Sequence, residues 1–84
     1  MKLQSQILTY LKQQPKTWAI KVEVANQRGC PDILLCCSGK FIAIEVIQGK
    51  DKVSPIQAEQ MKLIRNAGGD AWIITDFKVF KLLF

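Results

Sequence analysis

The chain has 84 residues, 49% of them hydrophobic, and a net charge of +5 from twelve Lys and Arg against seven Asp and Glu. This suits one small globular domain over residues 1–84 and excludes a disordered tail. No apolar run reaches the length of a membrane helix, and the N-terminal residues read as no secretory signal. A basic domain attracts polyanions, of which nucleic acid is the commonest, although a charge of this size also serves plain solubility. Cys30, Cys36 and Cys37 come with no histidine and no C-x-x-C spacing, which argues against zinc. An odd number of cysteines without a secretory signal fits reduced thiols in a cytoplasm, packed as small hydrophobes.

Residues 2–14 read as a helix with Leu3, Ile7, Leu8 and Leu11 at helical spacing, stopped near Pro15. Over residues 18–25, Trp18, Ile20, Val22 and Val24 alternate with Ala19, Lys21, Glu23 and Ala25, a strand expected to bury the first set. A polar loop, Asn26 to Gly29, leads to Cys30-Pro31-Asp32. Residues 32–37 and 40–47 are two strand-like runs around Ser38-Gly39, a two-residue hairpin loop. The second run is apolar from Phe41 to Ile44, as suits a central strand covered on both faces. Residues 48–53 form a charged loop. Ser54-Pro55-Ile56-Gln57 then opens a helix with a cap, a proline in the first turn and a capping box. That helix should run to about Ala67, bury Ile56, Met61, Ile64 and Ala67, and end at Gly68-Gly69. Residues 71–75 form a further strand. Asp76 caps a last short helix through Phe77, Phe80, Leu83 and Phe84, with a final strand as the alternative. The expected order is αβββαβα, with the helix after the hairpin returning its strand parallel to its neighbour.

If the hairpin loop has two residues, Cys37 faces Lys40 and Asp32 faces Glu45, with Cβ atoms about 4.5–5.5 Å apart. Two carboxylates so placed repel, and one resists ionising. A hard divalent cation resolves the conflict by taking oxygens from both. The competing reading is two polar residues on the open face of an edge hairpin, and a loop one residue longer would shift the pairing.

Gly29-Cys30-Pro31-Asp32, Ile44-Glu45-Val46 and Ser54-Pro55-Ile56-Gln57, in this order of elements, resemble the PD-(D/E)XK nuclease superfamily, and within it the stand-alone VRR-NUC domains often found in phages. The resemblance spans nearly the whole chain. It implies an α/β fold, a minimal restriction-endonuclease-like core of mixed β-sheet flanked by helices. It also implies a magnesium- or manganese-dependent endonuclease of DNA, with small members cutting branched structures such as Holliday junctions as homodimers. Carried over by position, Asp32 and Glu45 would be catalytic and bind the metal, the backbone carbonyl of Val46 would be a further ligand, and Gln57 would stand beside the site. Gln57 is also accounted for by its capping box. The expected location is the cytoplasm of a bacterial or phage-infected cell, with no membrane partner.

Two positions depart from that pattern. Ile47 stands where the superfamily has a lysine that orients the attacking water or stabilises developing charge, and isoleucine does neither. Three explanations are open: a substitution that disables cleavage, a natural variant in which Lys21, Lys50, Lys52 or Lys62 reaches the site, or a degenerate relative that binds DNA without cutting it. Gln4 and Gln6 occupy the stretch of the first helix where many relatives carry a glutamate, which predicts weaker metal binding. Lys21, Arg28, Lys50 and Lys52 are the foremost candidates for phosphate contacts, with Lys12, Lys16, Lys40 and Lys62 also available. Trp72, Phe77, Phe80 and Phe84 serve either a dimer interface or simple core packing.

Overall fold

Ser38 and Gly39 both adopt positive φ, 52° and 83°, the signature of the tight hairpin turn whose twist matches its flanking strands. This computed structural model describes residues 2–84. The turn joins β2 (Ile33–Cys37) to β3 (Lys40–Val46) in antiparallel register, with Cys37 opposite Lys40 and Ile33 opposite Ile44. β1 (Thr17–Lys21) pairs antiparallel with the outer side of β2, and β4 (Asp70–Ile74) pairs parallel with β3, so the sheet order is β1-β2-β3-β4. The parallel pair demands a crossover, supplied by α2 (Pro55–Asn66). With α1 (Leu3–Lys12) at the start and α3 (Phe77–Leu83) at the end, the order is the expected αβββαβα.

The two faces of the sheet are covered unequally. On one, Leu3, Ile7 and Leu11 of α1 and Phe80 of α3 close over Ala19, Ile33, Leu35, Ile42, Ile44 and Ile74. Tyr10 stands edge-on to Phe77, Phe80 and Phe84, with centroids 5.7–6.0 Å apart. Trp72 meets Phe80 at 6.4 Å. Phe80 is thus fully buried in the core, while Trp72, Phe77 and Phe84 pack against it with part of their surface still open. On the other face, α2 lays Met61 and Ile64 over Ala43 and Ala71, with Leu34 at the margin.

This inequality explains why the burial expectation for β1 was inverted. Ala19 is 8% exposed while Trp18 is 59% exposed, and Ile20 and Val24 are also open. Alternation separates two faces but does not say which one a helix covers. α1 covers the Ala19 side, and α2 sits too far along the sheet to cover the other. The strand also ends at Lys21, four residues short of expectation, although Val22 N–H still donates to Asp32 O at 2.8 Å. In α2, only Met61 of the four expected core residues is buried, with Ile64 partly so and Ile56 and Ala67 exposed, because a single contact line suffices over alanines.

Candidate metal centre

Three separate pieces of local structure converge at the end of β3 away from the hairpin turn. Glu45, on the α2 side of the sheet, is 1% exposed. Asp32 lies one residue before the β2 ladder begins at Ile33 and its Oδ2 accepts from Val46 N–H at 2.8 Å. The expected Asp32–Glu45 neighbourhood is thus realised just beyond the regular ladder. The third piece is the N-terminus of α2. Ser54 caps it, with Ser54 Oγ accepting from Gln57 N–H at 3.2 Å and Gln57 Oε1 accepting from Ser54 N–H at 2.8 Å. Because Oε1 is engaged by the cap, the amide is turned so that Nε2 donates to Glu45 Oε1 at 3.1 Å. Gln57 therefore serves the cap and the carboxylate together.

The remaining oxygen, Glu45 Oε2, is buried without a hydrogen-bond partner. An ionised carboxylate left so is strongly disfavoured. Its pKa is accordingly pushed up from about 4.5 to about 8, by burial first, then by the hydrogen bond that the protonated carboxyl makes to Asp32, and then by the charge of Asp32. Oε2 therefore lacks a partner only when Glu45 is ionised. Cys30 feels the same pair: burial raises its thiol pKa first, then the charges of Glu45 and Asp32.

An orphaned buried oxygen beside a second carboxylate fits a hard divalent cation, which would take oxygens of Asp32 and Glu45. Among the described residues no group of three or more His, Cys, Asp or Glu side chains could hold a metal. Two carboxylates are what magnesium commonly takes from protein, leaving positions for water and phosphate.

Gly29 positions the Asp32 loop. It has φ +76°, and a Cβ there would lie 2.8 Å from the Ile56 backbone carbonyl carbon, so only glycine lets this loop press against α2. Its closeness to Ile56 and the Val46 N–H that anchors Asp32 were not foreseen from sequence. The glycine two residues before Pro31 was the signal for the first.

Ile47 N–H donates to Ile74 O at 3.0 Å, extending the ladder past Val46. Two residues on from Glu45, its side chain falls on the same face. Lys21 pairs in register with Ile33 and so lies on the opposite face from Glu45, and its Nζ is 3.6 Å from Glu23 Oε1. Arg28, Lys50 and Lys52 are exposed on the loops flanking Asp32 and Ile47, and Lys62 is exposed on α2.

The dual engagement of Gln57 makes a prediction. Ser54→Ala is expected to cost about 1 kcal/mol, the ordinary loss of a helix cap. Gln57→Ala also strips the donor from buried Glu45 Oε1 and should cost about 1–3 kcal/mol more. Urea denaturation of the two variants at pH 7 measures the difference, and equal losses would show that the Glu45 contact contributes nothing.

A four-stranded mixed sheet with three helices in this order is the fold of a PD-(D/E)XK core. The particular likeness is to Hjc, a Holliday junction resolvase from the archaeal hyperthermophile Archaeoglobus fulgidus. Its structure matches with a TM-score of 0.66 and 25% sequence identity, over 90% of this chain and 66% of that one. The chain thus spans just under two thirds of the length of that relative. No protein-family model and no curated protein sequence matches it.

Proposed function

We propose that the chain is a divalent-metal-dependent endonuclease of branched DNA, of the stand-alone VRR-NUC type, acting as a homodimer on junctions such as the four-way Holliday structure in the cytoplasm of a bacterial or phage-infected cell. The observation that carries this is the buried, unpartnered Oε2 of Glu45 beside Asp32, on a fold shared with a Holliday junction resolvase.

Asp32 and Glu45 would hold Mg²⁺ or Mn²⁺, with the backbone carbonyl of Val46 as a third protein ligand. The bound ion supplies an acidified water and an electrostatic sink for the charge developing on phosphate. Val46 N–H fixes Asp32, and the capped Gln57 fixes Glu45 with one oxygen held and the other presented. Arg28, Lys50 and Lys52, exposed on the flanking loops, would meet phosphates there, whereas Lys21 is on the opposite face of the sheet, beside Glu23, and is left out of this set. Ile47 offers no proton and no charge, so cleavage by this chain is impaired.

A second reading, a DNA-binding module with a degenerate nuclease site, is favoured by that same isoleucine. The two readings part on metal. Under the nuclease reading, Asp32→Ala abolishes Mn²⁺ binding in titration calorimetry while the apo protein stays folded. Under the binding-module reading, wild type and variant give the same heats, and junction binding is tight and steeply salt-dependent.

A further inference from the structure

The face of the sheet that α2 leaves bare is apolar. Trp18 and Ile20 of β1, Leu34 and Cys36 of β2 and Phe41 of β3 share it, as the register Trp18 to Cys36 to Phe41 and Ile20 to Leu34 to Ala43 requires. The flank of α2 beside this floor is apolar too. Arg65 Nη2 donates to Ala71 O of β4 at 2.7 Å, so that side of the helix faces β4. Ile56 and Leu63 lie about half a turn round the helix from Arg65, on the flank toward β2 and β1. The contact of Ile56 with Gly29, just before β2, agrees with this direction. Sheet and helix thus make two walls of one open groove. It continues past Phe41 into a depression of about 640 Å³ between the hairpin turn and the end of α2, away from the carboxylates.

Trp18, Ile20, Phe41, Ile56 and Leu63 are each between 37% and 59% exposed. Together they leave on the order of 500 Å² of largely apolar surface on one side, at the upper end of what a monomer ordinarily shows. Interfaces are roughly 60% apolar, so such a patch with a polar rim corresponds to about 800 Å² per partner, the standard size for a stable complex. The groove is also self-complementary in kind. One copy offers a convex apolar helix flank beside a flat apolar half-sheet, and a two-fold axis lays each flank on the other copy's half-sheet.

We propose that this groove is the surface on which a second copy of the chain docks, the α2 flank around Leu63 of one subunit covering Trp18 and Ile20 of the other. The proposal rests on the two-subunit reading given above and not on the cleavage chemistry. Docking completes the layer that α2 leaves unfinished over β1 and β2. It also sets the two Glu45 sites on faces turned toward one symmetry axis.

The test uses two variants of exposed residues, Trp18→Asp and Leu63→Lys, each checked for wild-type circular dichroism. In sedimentation equilibrium the wild type is expected at twice its 9.5 kDa mass at micromolar concentration. Each variant alone should associate on the order of 100-fold more weakly, as for loss of a central anchor. Mixed in equal amounts, the two should re-form a dimer, because the mixed pair retains one native Trp18–Leu63 contact and gains an Asp–Lys pair at the other. Leu82→Lys, on the exposed side of α3, should leave association unchanged. A monomeric wild type would remove the two-subunit reading itself. A dimer that survives Trp18→Asp, or a mixture that stays monomeric, would overturn this surface while leaving the two-subunit reading standing. Mn²⁺ titration of the same variants reads the carboxylate site separately.

Discussion

Ile47→Lys is expected to raise Mn²⁺-supported cleavage of a four-way junction by roughly 10²–10⁴-fold, the usual worth of one positioned proton-transfer or electrostatic group. The backbone of residue 47 is already held by Ile74 O, and strand alternation aims its side chain to the face that carries Glu45. A lysine there would need no rearrangement of the sheet, and its long stem would lie along the half-buried surface that isoleucine now covers. Gel-resolved single-turnover cleavage of a labelled junction by wild type and variant checks this. Failure of both to cut, with Mn²⁺ bound to both, would place the defect elsewhere than position 47.

The apo protein should lose stability as pH rises from about 5 to about 8. In the folded chain Glu45 keeps its proton up to about pH 8, whereas in the unfolded chain it loses it near 4.5. Between those values the folded state binds more protons, so raising the pH favours unfolding, by about 1.4 kcal/mol per unit at the steepest. The contribution is fully present below pH 4.5 and gone above pH 8. Glu45→Gln keeps the shape of the protonated side chain and should flatten this part of the profile. Added Mn²⁺ should restore stability at pH 8, since a ligand that binds only the folded state stabilises it by mass action. Urea midpoints at pH 5, 6, 7 and 8 for both proteins test this. A slope shared by wild type and Glu45→Gln would mean that Glu45 is not the group responsible.

What could be read from sequence was what local chemistry dictates. Ser38-Gly39 set the hairpin register through the backbone demands of a two-residue turn, and Ser54 and Gln57 announced the start of α2 through their reciprocal cap. Gly68-Gly69 marked its end. Asp32 and Glu45 followed from counting back along the two arms. Illegible were choices settled by distant partners. Trp18 and Ala19 alternate equally well whichever face α1 takes. Phe77, Phe80 and Phe84 found their place only once Tyr10, about seventy residues earlier in the chain, came beside them. That Val46 N–H would anchor Asp32 depended on the chain leaving the ladder at Ile33, which no spacing rule encodes.

The turn at Ser38-Gly39 stands five residues along each arm from the carboxylate pair, about 17 Å of extended chain. The side-chain parity of both arms is counted from it, so the chemistry at one end of the sheet is hostage to an odd or even number at the other. A third residue in that loop would add no charge and disturb no ligand. Yet if one arm slid a single step to keep the turn at two residues, Asp32 and Glu45 would turn to opposite sides, silencing the pair from a distance.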